Sequence, residues 1–244
     1  MNSKHIKAFT LSEVLIALVI IGVIAAITVP VVYANYVKEA LKTGYTKAYS
    51  DLNNFSRKFY ADYGISFSEY ASEHTYEQNY AALKKYIYSA YNSSINQGMV
   101  ANEDYEYYYK GMNGSEAFPV CDDIGLYVSA GGRFYGMNNP PPSDVNGPII
   151  CVDTNGAKGP NRYGYDFFIF AATLDGRVIP MGMEDENNTT ETSLGYTFFV
   201  SGSQYCSKTS SSNGNNTSGL TCSYYALIDK SPKNSAKSYW KDFI

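Results

Sequence analysis

The chain has 244 residues, of which 45% are hydrophobic and 17% charged, enough apolar material for one well-buried domain with appendages. A formal net charge of −4 argues against a nucleic-acid binder that relies on a basic surface. Two histidines and four cysteines leave little material for a metalloenzyme.

The amino-terminal segment combines a positive stretch with a long apolar run. Lys4 and Lys7 lie within the first eight residues, which contain no acid. The apolar run extends from Val14 to Val32. As a helix, Phe9 to Val32 would be about 36 Å long, enough to cross a bilayer core of about 30 Å. A positive segment before an apolar span predicts that the amino end is cytoplasmic and that the chain after Val32 lies outside.

Two ordinary explanations of this segment fit poorly. A conventional secretory signal has a shorter apolar core followed by a small-residue cleavage site, whereas Ala25 and Ala26 lie inside the run. A plain membrane anchor leaves Glu13 unexplained, because a carboxylate at that depth costs a few kcal/mol unless it has a partner or stays near the interface. The segment therefore calls for an explanation that includes a partner for Glu13.

The residues from Lys7 to Leu18 read KAFTLSEVLIAL and closely resemble the amino-terminal motif of type IV pilins and type II secretion pseudopilins. The resemblance implies that a prepilin peptidase cuts between Ala8 and Phe9 and that the new amino terminus is methylated. It also implies that Glu13 is the assembly residue, paired with the terminal amine of a neighbouring subunit. Pro30 matches a proline at which the filament helix can loosen. The family usually has glycine where this chain has Ala8, and the small alanine should be tolerated with slower cleavage.

Beyond Pro30 the pattern becomes amphipathic. Apolar residues recur at spacings of three and four and share one helix face: Leu41, Tyr45, Ala48, Leu52, Phe55 and Phe59. Gly64 offers a stop signal. We expect one helix of about 80 Å from Phe9 to Tyr63, bent at Pro30, with its second half packed on the domain.

The middle of the chain predicts a helix over Glu69–Tyr91 and a loop over Asn92–Ser115 that holds a tyrosine cluster at 105–109. Tyrosines of this kind suit a recognition surface, since they give contact area at low entropic cost. They suit an edge strand or a core equally well. Both interpretations of this insertion stay open.

From Gly125 onward the hydrophobic period changes to two, which is typical of strands. The predicted strands are Leu126–Ala130, Arg133–Met137, Ile149–Val152, Asp166–Ala172, Arg177–Met181 and Tyr196–Val200. Together with the family resemblance, they predict a pilin-like α+β fold, in which the long helix packs on an antiparallel sheet with an inserted helical and loop region. The expected organisation is a leader at 1–8, a transmembrane and filament-core helix at 9–32, the amphipathic half of that helix at 33–64 and an extracytoplasmic globular domain at 65–244.

The stretch from Asp153 to Asp166 is the densest turn signal in the chain. Its Asp and Asn side chains could bond nearby backbone amides and shape successive turns. Alternatively, Asp153, Asn155 and Asp166 could join carbonyl oxygens around a calcium ion, a cation that takes six to eight oxygens. The D-x-N-G opening and the closing aspartate resemble a segment of pseudopilin-like proteins, whose major type II secretion members hold calcium in a loop near the sheet. The resemblance adds weight to the second interpretation, and both stay open. The spacing does not fit an EF-hand, because position twelve from Asp153 is Gly164.

The cysteines form no C-x-x-C pair, and His74 is the one histidine left after leader removal, which argues against zinc. An even number of cysteines outside the cytoplasm predicts two disulfides. Chain proximity favours Cys121 with Cys151 and Cys206 with Cys222, one of three connectivities. We expect the Ser/Asn/Gly-rich stretch from 207 to 221 to bury nothing, and the aromatic residues near the end of the chain to anchor the tail.

The leading hypothesis is a structural subunit of a type II secretion pseudopilus or a type IV pilus, with secretion slightly favoured. Its implied partners are the prepilin peptidase, other pilin or pseudopilin subunits, and an inner-membrane assembly platform with its ATPase, since this sequence has no nucleotide-binding G-x-x-x-x-G-K-[ST] motif. The implied location is the bacterial inner membrane and then a filament.

Two other functions fit parts of the sequence. A competence pilin for DNA uptake is the main alternative, disfavoured by the acidic balance but left open by a local patch of lysines: Lys230, Lys233, Lys237 and Lys241. A membrane-anchored enzyme would need His74, which lies in a polar context.

Overall fold

The computed structural model describes residues 10–89, 99–100, 109–117, 120–121, 126–128, 131–138, 147–156, 158–183, 202–212 and 215–244. The chain forms two compact units, Met1–Ala40 and Leu41–Ile244. Ala8 and Phe9, tyrosines 105–108 and the predicted strand at 196–200 lie outside the described residues.

Helix α1 (Leu11–Tyr63) is a single element of 53 residues. It begins directly after Thr10 and ends at Tyr63, before Gly64, whose φ of 75° is a conformation that glycine adopts without strain. Among the described residues, α1 is the one helix whose length and composition would allow it to cross a membrane. Its large aliphatic side chains up to Val32 are exposed.

The second half of α1 packs through the predicted face. All six residues of that face are buried: Leu41, Tyr45, Ala48, Leu52, Phe55 and Phe59. The Tyr45 ring lies 4.6 Å from Phe168 and 5.8 Å from Phe170, between ring centroids. Tyr49 stacks on Phe170 at 5.8 Å. The period of the sequence therefore located the surface that α1 turns toward the sheet.

The helical character predicted over Glu69–Tyr91 is divided between two helices, α2 (Phe67–Glu73) and α3 (Tyr76–Ser89). The break follows from capping. The Gln78 backbone N–H donates to the Thr75 hydroxyl at 3.5 Å, and the Thr75 backbone N–H donates to Gln78 Oε1 at 2.9 Å. This reciprocal pair is a capping box, which starts a new helix at Tyr76.

One antiparallel sheet holds six strands in chain order: β1 (Met99–Val100), β2 (Leu126–Val128), β3 (Phe134–Met137), β4 (Ile149–Asp153), β5 (Phe167–Ala172) and β6 (Val178–Pro180). Each strand pairs with the next, so the topology is a simple meander. The β1 strand was not predicted. This arrangement, with α1 on the sheet, is the predicted α+β fold.

Both faces of the sheet are covered. Phe168 and Phe170 contact α1, whereas Phe167, Ile169 and Ala171 belong to a core on the opposite face. That opposite core draws its other members from the segment between β1 and β2 and from the chain after the sheet, among them Tyr109, Val120, Tyr205 and Leu220. All six residues of β5 are consequently buried, which explains why its sequence is apolar without alternation.

After the sheet come α4 (Gly202–Tyr205), the hairpin of β7 (Ser211–Ser212) and β8 (Asn215–Asn216), α5 (Cys222–Ile228) and a short π-helix (Tyr239–Phe243).

The expectation that the stretch from 207 to 221 buries nothing was wrong. Thr217, Ser218 and Leu220 are buried. Asn216 holds the hairpin in place, because its Nδ2 donates to the carbonyl oxygens of Ser115 at 3.2 Å and Glu116 at 2.7 Å.

Two disulfides have the connectivity that chain proximity favoured, Cys121 with Cys151 and Cys206 with Cys222. The first ties the segment between β1 and β2 to β4. The second closes the Ser/Asn-rich hairpin.

The aromatic tail is anchored, as predicted: Tyr239 and Trp240 are buried, and the Trp240 indole donates to the Ala226 carbonyl at 2.9 Å.

We predict that Leu52→Ala lowers the free energy of unfolding by about 3 kcal/mol, because Leu52 is fully buried and its loss leaves a cavity. The measurement is denaturant unfolding of the full chain in detergent, followed by fluorescence of the single tryptophan, Trp240. Leu227→Ala is the matched control, since Leu227 is 37% exposed and its loss should cost less than about 1 kcal/mol. Equal losses from the two variants would contradict the described packing.

Candidate functional site

The first candidate site lies at the start of α1. Glu13 Oε2 accepts hydrogen bonds from the Thr10 backbone N–H and the Thr10 hydroxyl, both at 2.9 Å. The Glu13 N–H in turn faces the Thr10 Oγ1 at 3.3 Å. Thr10 and Glu13 thus form a capping box. The T-x-x-E spacing that signals this box is visible in the sequence, but it was not used in the prediction.

This geometry gives the Glu13 carboxylate a partner within its own chain. The amino end of a helix carries partial positive charge from unpaired N–H groups, which favours an anion there. Glu13 can therefore sit at the edge of an apolar helix without being an isolated charge. A carboxylate has about four lone-pair positions, so Glu13 retains capacity for a further cationic donor such as an amine.

Pro30 lies inside α1, and the helix continues on both sides of it. Proline has no N–H to donate, so the carbonyl one turn earlier loses its usual partner. Near this position the Thr28 hydroxyl donates to the Ile24 carbonyl at 2.9 Å. This bond does not replace the partner of the carbonyl that faces the proline, which is four residues earlier, at Ala26. A loosening at Pro30 during assembly stays a prediction.

The second candidate site is the loop between β4 and β5. Asp153 ends β4, and its Oδ1 accepts from the backbone N–H groups of Asn155 at 3.0 Å and Gly156 at 2.7 Å. Its Oδ2 accepts from the Tyr109 hydroxyl at 2.7 Å. Tyr109 also stacks on Phe167 at 4.0 Å. The last member of the tyrosine cluster is therefore core material that supports this loop.

Asp166 organises the other end of the loop. Its Oδ1 accepts from the Arg162 N–H at 2.8 Å and its Oδ2 from the Asn161 N–H at 2.9 Å. The Thr154 N–H donates to the Asp166 carbonyl at 2.8 Å, which closes the base of the loop. The two carboxylates thus perform the turn-shaping role that was one of the two interpretations of this segment.

Both loop carboxylates are buried, and their pKa values respond to that burial. Burial raises the pKa of Asp153 well above its usual value, and the nearby Asp166 charge raises it further. Burial also raises the pKa of Asp166 to about 6, against the opposing effect of the amide N–H groups of Arg162 and Asn161. Two buried acids side by side resist full ionisation.

The loop also holds oxygens whose hydrogen-bonding capacity is unused. Asn155 Oδ1 and Asn161 Oδ1 are buried and have no hydrogen-bond partner within the described ranges. Together with Asp153 and Asp166 they make an oxygen-only donor set, which suits a hard cation such as calcium. No group of three or more His, Cys, Asp or Glu side chains that could hold a metal occurs among the residues that the structure describes. Further ligands would have to come from carbonyls or water.

Residues 3–29 match the family model for the prokaryotic N-terminal methylation motif. This is the prepilin-type cleavage motif of type IV pilins and pseudopilins, and the matched span includes Ala8, Phe9 and Glu13. With the pilin-like α+β fold and the apolar α1, the motif supports a pilin- or pseudopilin-like subunit. It implies processing by prepilin peptidase and assembly with other pilin-type subunits. Comparisons with curated proteins and with solved structures gave no match.

We predict that the buried Asp166 makes stability fall as pH rises. Its folded-state pKa of about 6 lies above the unfolded value of about 4, so the folded chain binds more protons in this window. The free energy of unfolding, measured in the presence of a chelator, should therefore fall between about pH 4 and 6. In wild type it should fall by up to about 3 kcal/mol more than in Asp166→Asn.

The comparison with Asp166→Asn removes the contribution of carboxyl groups that do not interact with Asp166, some of which act in the opposite direction. Asp153 does interact with it, so the difference in slope reports the Asp153–Asp166 pair. Glu73→Gln changes an exposed acid and serves as the control that should keep the wild-type slope. Identical slopes for wild type and Asp166→Asn would show that this carboxyl does not titrate in the window.

Proposed function

We propose that the protein is a structural subunit of a type II secretion pseudopilus or a type IV pilus. The observation that carries the proposal is the methylation motif at residues 3–29 on a helix that begins with the Thr10–Glu13 capping box. Prepilin peptidase would cut between Ala8 and Phe9, and the new amine would be methylated. The leader would be residues 1–8 and the filament-core segment residues 9–32.

In this mechanism the precursor waits in the inner membrane with its amino end in the cytoplasm and its globular part outside. Cleavage frees the Phe9 amine. Glu13, which α1 already holds at its first turn, would accept the amine of a neighbouring subunit and so fix the axial register. The apolar side chains that α1 exposes would exchange lipid for the same helices of other subunits. An assembly platform and its ATPase would supply the work of extraction.

Two features bear on the kind of filament. The oxygen-rich loop between Asp153 and Asp166 favours the secretion branch, by likeness to the calcium loop of major pseudopilins. The lysines near the carboxyl end favour the alternative of a competence pilin, against a net charge of −4 for the whole chain. We favour the secretion pseudopilus.

The motif points to a structural subunit rather than an enzyme. The catalytic alternative depended on His74. The His74 ring stacks on Tyr70 with centroids 3.7 Å apart, and its Nδ1 lies 2.8 Å from the Tyr70 carbonyl oxygen. His74 is thus accounted for as part of the turn between α2 and α3.

We predict that Glu13→Ala yields a processed, membrane-held protein that fails to enter filaments, because the neighbour's amine loses its carboxylate. Intact mass of the membrane-extracted protein measures processing: loss of residues 1–8 and gain of one methyl group. Sheared-filament yield measures assembly and should fall by at least about tenfold, the effect of a lost interaction of roughly 1.4 kcal/mol.

Glu39→Ala is the matched control, since it removes a carboxylate from the same helix outside the motif. It should be processed and assembled normally. Filaments of normal abundance with Glu13→Ala would contradict the assembly role. An unprocessed wild-type chain in the presence of prepilin peptidase would contradict the whole proposal.

We further propose that Asp153, Asn155 and Asp166 hold calcium, with Asn161 as an additional ligand. The orphan amide oxygens and the paired buried carboxylates support this assignment. When bound, the ion would supply the positive charge that lets both carboxylates ionise. The turns that these residues shape would then be held by the ion as well as by backbone amides.

We predict that millimolar calcium raises the melting temperature of the full chain in detergent by about 5 °C at neutral pH, because a ligand bound only by the folded state stabilises it. Magnesium should have a smaller effect, as it requires a tighter octahedral site. The combined variant Asp153→Asn with Asp166→Asn should lose the shift, whereas Glu73→Gln should keep it. Absence of a shift with wild type would exclude the calcium assignment.

A further inference from the structure

The carboxyl-terminal segment of the domain carries an unusual concentration of positive charge. Asp229–Phe243 contains four of the chain's 19 lysines and arginines but only two of its 23 acids. The remainder of the protein is acidic. This segment, which we call the lysine loop, contains Lys230, Lys233, Lys237 and Lys241.

The lysine loop is a fixed structure rather than a loose tail. Its base is held by Asp229, whose Oδ1 accepts from the Ser238 hydroxyl at 2.6 Å and from the Trp240 N–H at 3.2 Å. Across the loop, the Ser231 N–H donates to the Lys237 carbonyl at 2.9 Å. Because Trp240 is buried directly behind this base, the loop presents its lysines from a rigid support.

Neither of the two acids of the segment forms an ion pair with its lysines among the described contacts. Asp229 pairs with Lys42 of α1 at 2.8 Å, and Asp242 accepts from the Ser238 N–H at 2.9 Å. Lys230, Lys233 and Lys237 are exposed, and none of the three side chains forms an ion pair with any acid in the described part of the chain. Their charge is therefore available to an external anion.

An exposed aliphatic pair adjoins these lysines. Among the described residues from Leu41 onward, the exposed large hydrophobic side chains are Tyr60, Tyr63, Leu227 and Ile228. Leu227 and Ile228 are each 37% exposed and immediately precede Asp229 in the chain. The stretch from Leu227 to Lys237 thus combines exposed lysines with exposed aliphatic side chains, a composition that suits a membrane interface.

Covalent continuity keeps this surface within reach of the bilayer. The Lys42–Asp229 ion pair joins the lysine loop to α1. Lys42 follows Val32, the end of the apolar run, by ten residues, and even a fully extended chain of that length spans only about 35 Å. A surface tethered so close to lipid experiences a high effective concentration of headgroups, so weak attraction is sufficient for binding.

We propose that the lysine loop, with Leu227 and Ile228, binds the anionic phospholipid headgroups of the membrane that anchors α1. The proposal rests on the membrane-held precursor of the proposed function. The lysines would contact lipid phosphates, and the two aliphatic side chains would enter the interface between headgroups and acyl chains. The contact would hold the domain against the membrane before assembly and would have to break when the subunit is extracted.

Duplex DNA is the other anion that lysines bind, and the structure favours it less. Tight non-specific DNA binding requires many phosphate contacts along an extended track, whereas the lysine loop is a compact group on an otherwise acidic protein. DNA also gives no role to Leu227 and Ile228. A membrane uses both the charge and the aliphatic side chains.

The test uses the full, unprocessed chain in nanodiscs that contain a dansyl-labelled headgroup lipid. Trp240 is the single tryptophan and lies at the base of the lysine loop, so energy transfer from Trp240 to dansyl reports how close the loop lies to the headgroups. With one-third phosphatidylglycerol, transfer should be about twofold higher than with phosphatidylcholine alone. The excess should disappear at about 0.5 M salt, because salt screens exposed charges.

The triple variant Lys230→Gln, Lys233→Gln and Lys237→Gln should lose the excess transfer. The control triple variant Arg57→Gln, Lys58→Gln and Lys208→Gln changes the net charge equally at other exposed positions and should keep it. Tryptophan fluorescence and circular dichroism of each variant establish that the domain is folded.

Equal transfer in both lipid mixtures, or loss of the excess in the control variant, would overturn the proposal. Binding of labelled duplex DNA that depends on the three lysines, without a lipid effect, would overturn it in favour of DNA. No peptidase or filament takes part in the assay, so its failure is distinguishable from failure of the proposed assembly function.

Discussion

The packing of Tyr45 joins three parts of the domain in one contact. Its ring lies against Phe168 of β5 and against Trp240 of the tail, with centroids 4.6 and 5.9 Å away, and its hydroxyl donates to the Ser223 carbonyl at 2.5 Å. Helix, sheet and carboxyl-terminal segment are therefore positioned by the same buried side chain. Tyr45 fixes the tail and β5. The lysine loop and the loop between β4 and β5 therefore depend on Tyr45 indirectly.

The opposite face of β5 imposes the second constraint. A strand that is apolar on both sides needs a covering layer on each face of the sheet. The long helix α1 covers only one of the two faces. Irregular segments make the other layer, and the two disulfides secure it by linking Cys121 to β4 and by closing the hairpin between Cys206 and Cys222. Irregular chain buries polar groups, so side-chain amides such as that of Asn216 satisfy the backbone there.

The same principle connects the two candidate sites. At the start of α1, Glu13 accepts hydrogen bonds from the hydroxyl and the backbone N–H of Thr10. In the loop, Asp153 and Asp166 accept hydrogen bonds from backbone N–H groups and a tyrosine. In each case the isolated chain already positions a carboxylate and leaves part of its capacity for an outside cation. For Glu13 that cation would be a neighbour's amine, and for the loop a calcium ion, so both proposals draw on the same electrostatic arrangement.

The sequence by itself determined the features that depend on local order: the cleavage and methylation motif, the apolar run, the buried face of α1 and most strands of the meander. These depend on residue spacing, which is fixed by helix and strand geometry. It missed the capping box at Thr75, although the signal was present. Only the tertiary structure decided what occupies the second face of β5, that Tyr109 supports Asp153, and that Lys42 holds the lysine loop through Asp229. Those contacts join residues far apart in the chain, and no local period encodes which distant partner a buried group finds.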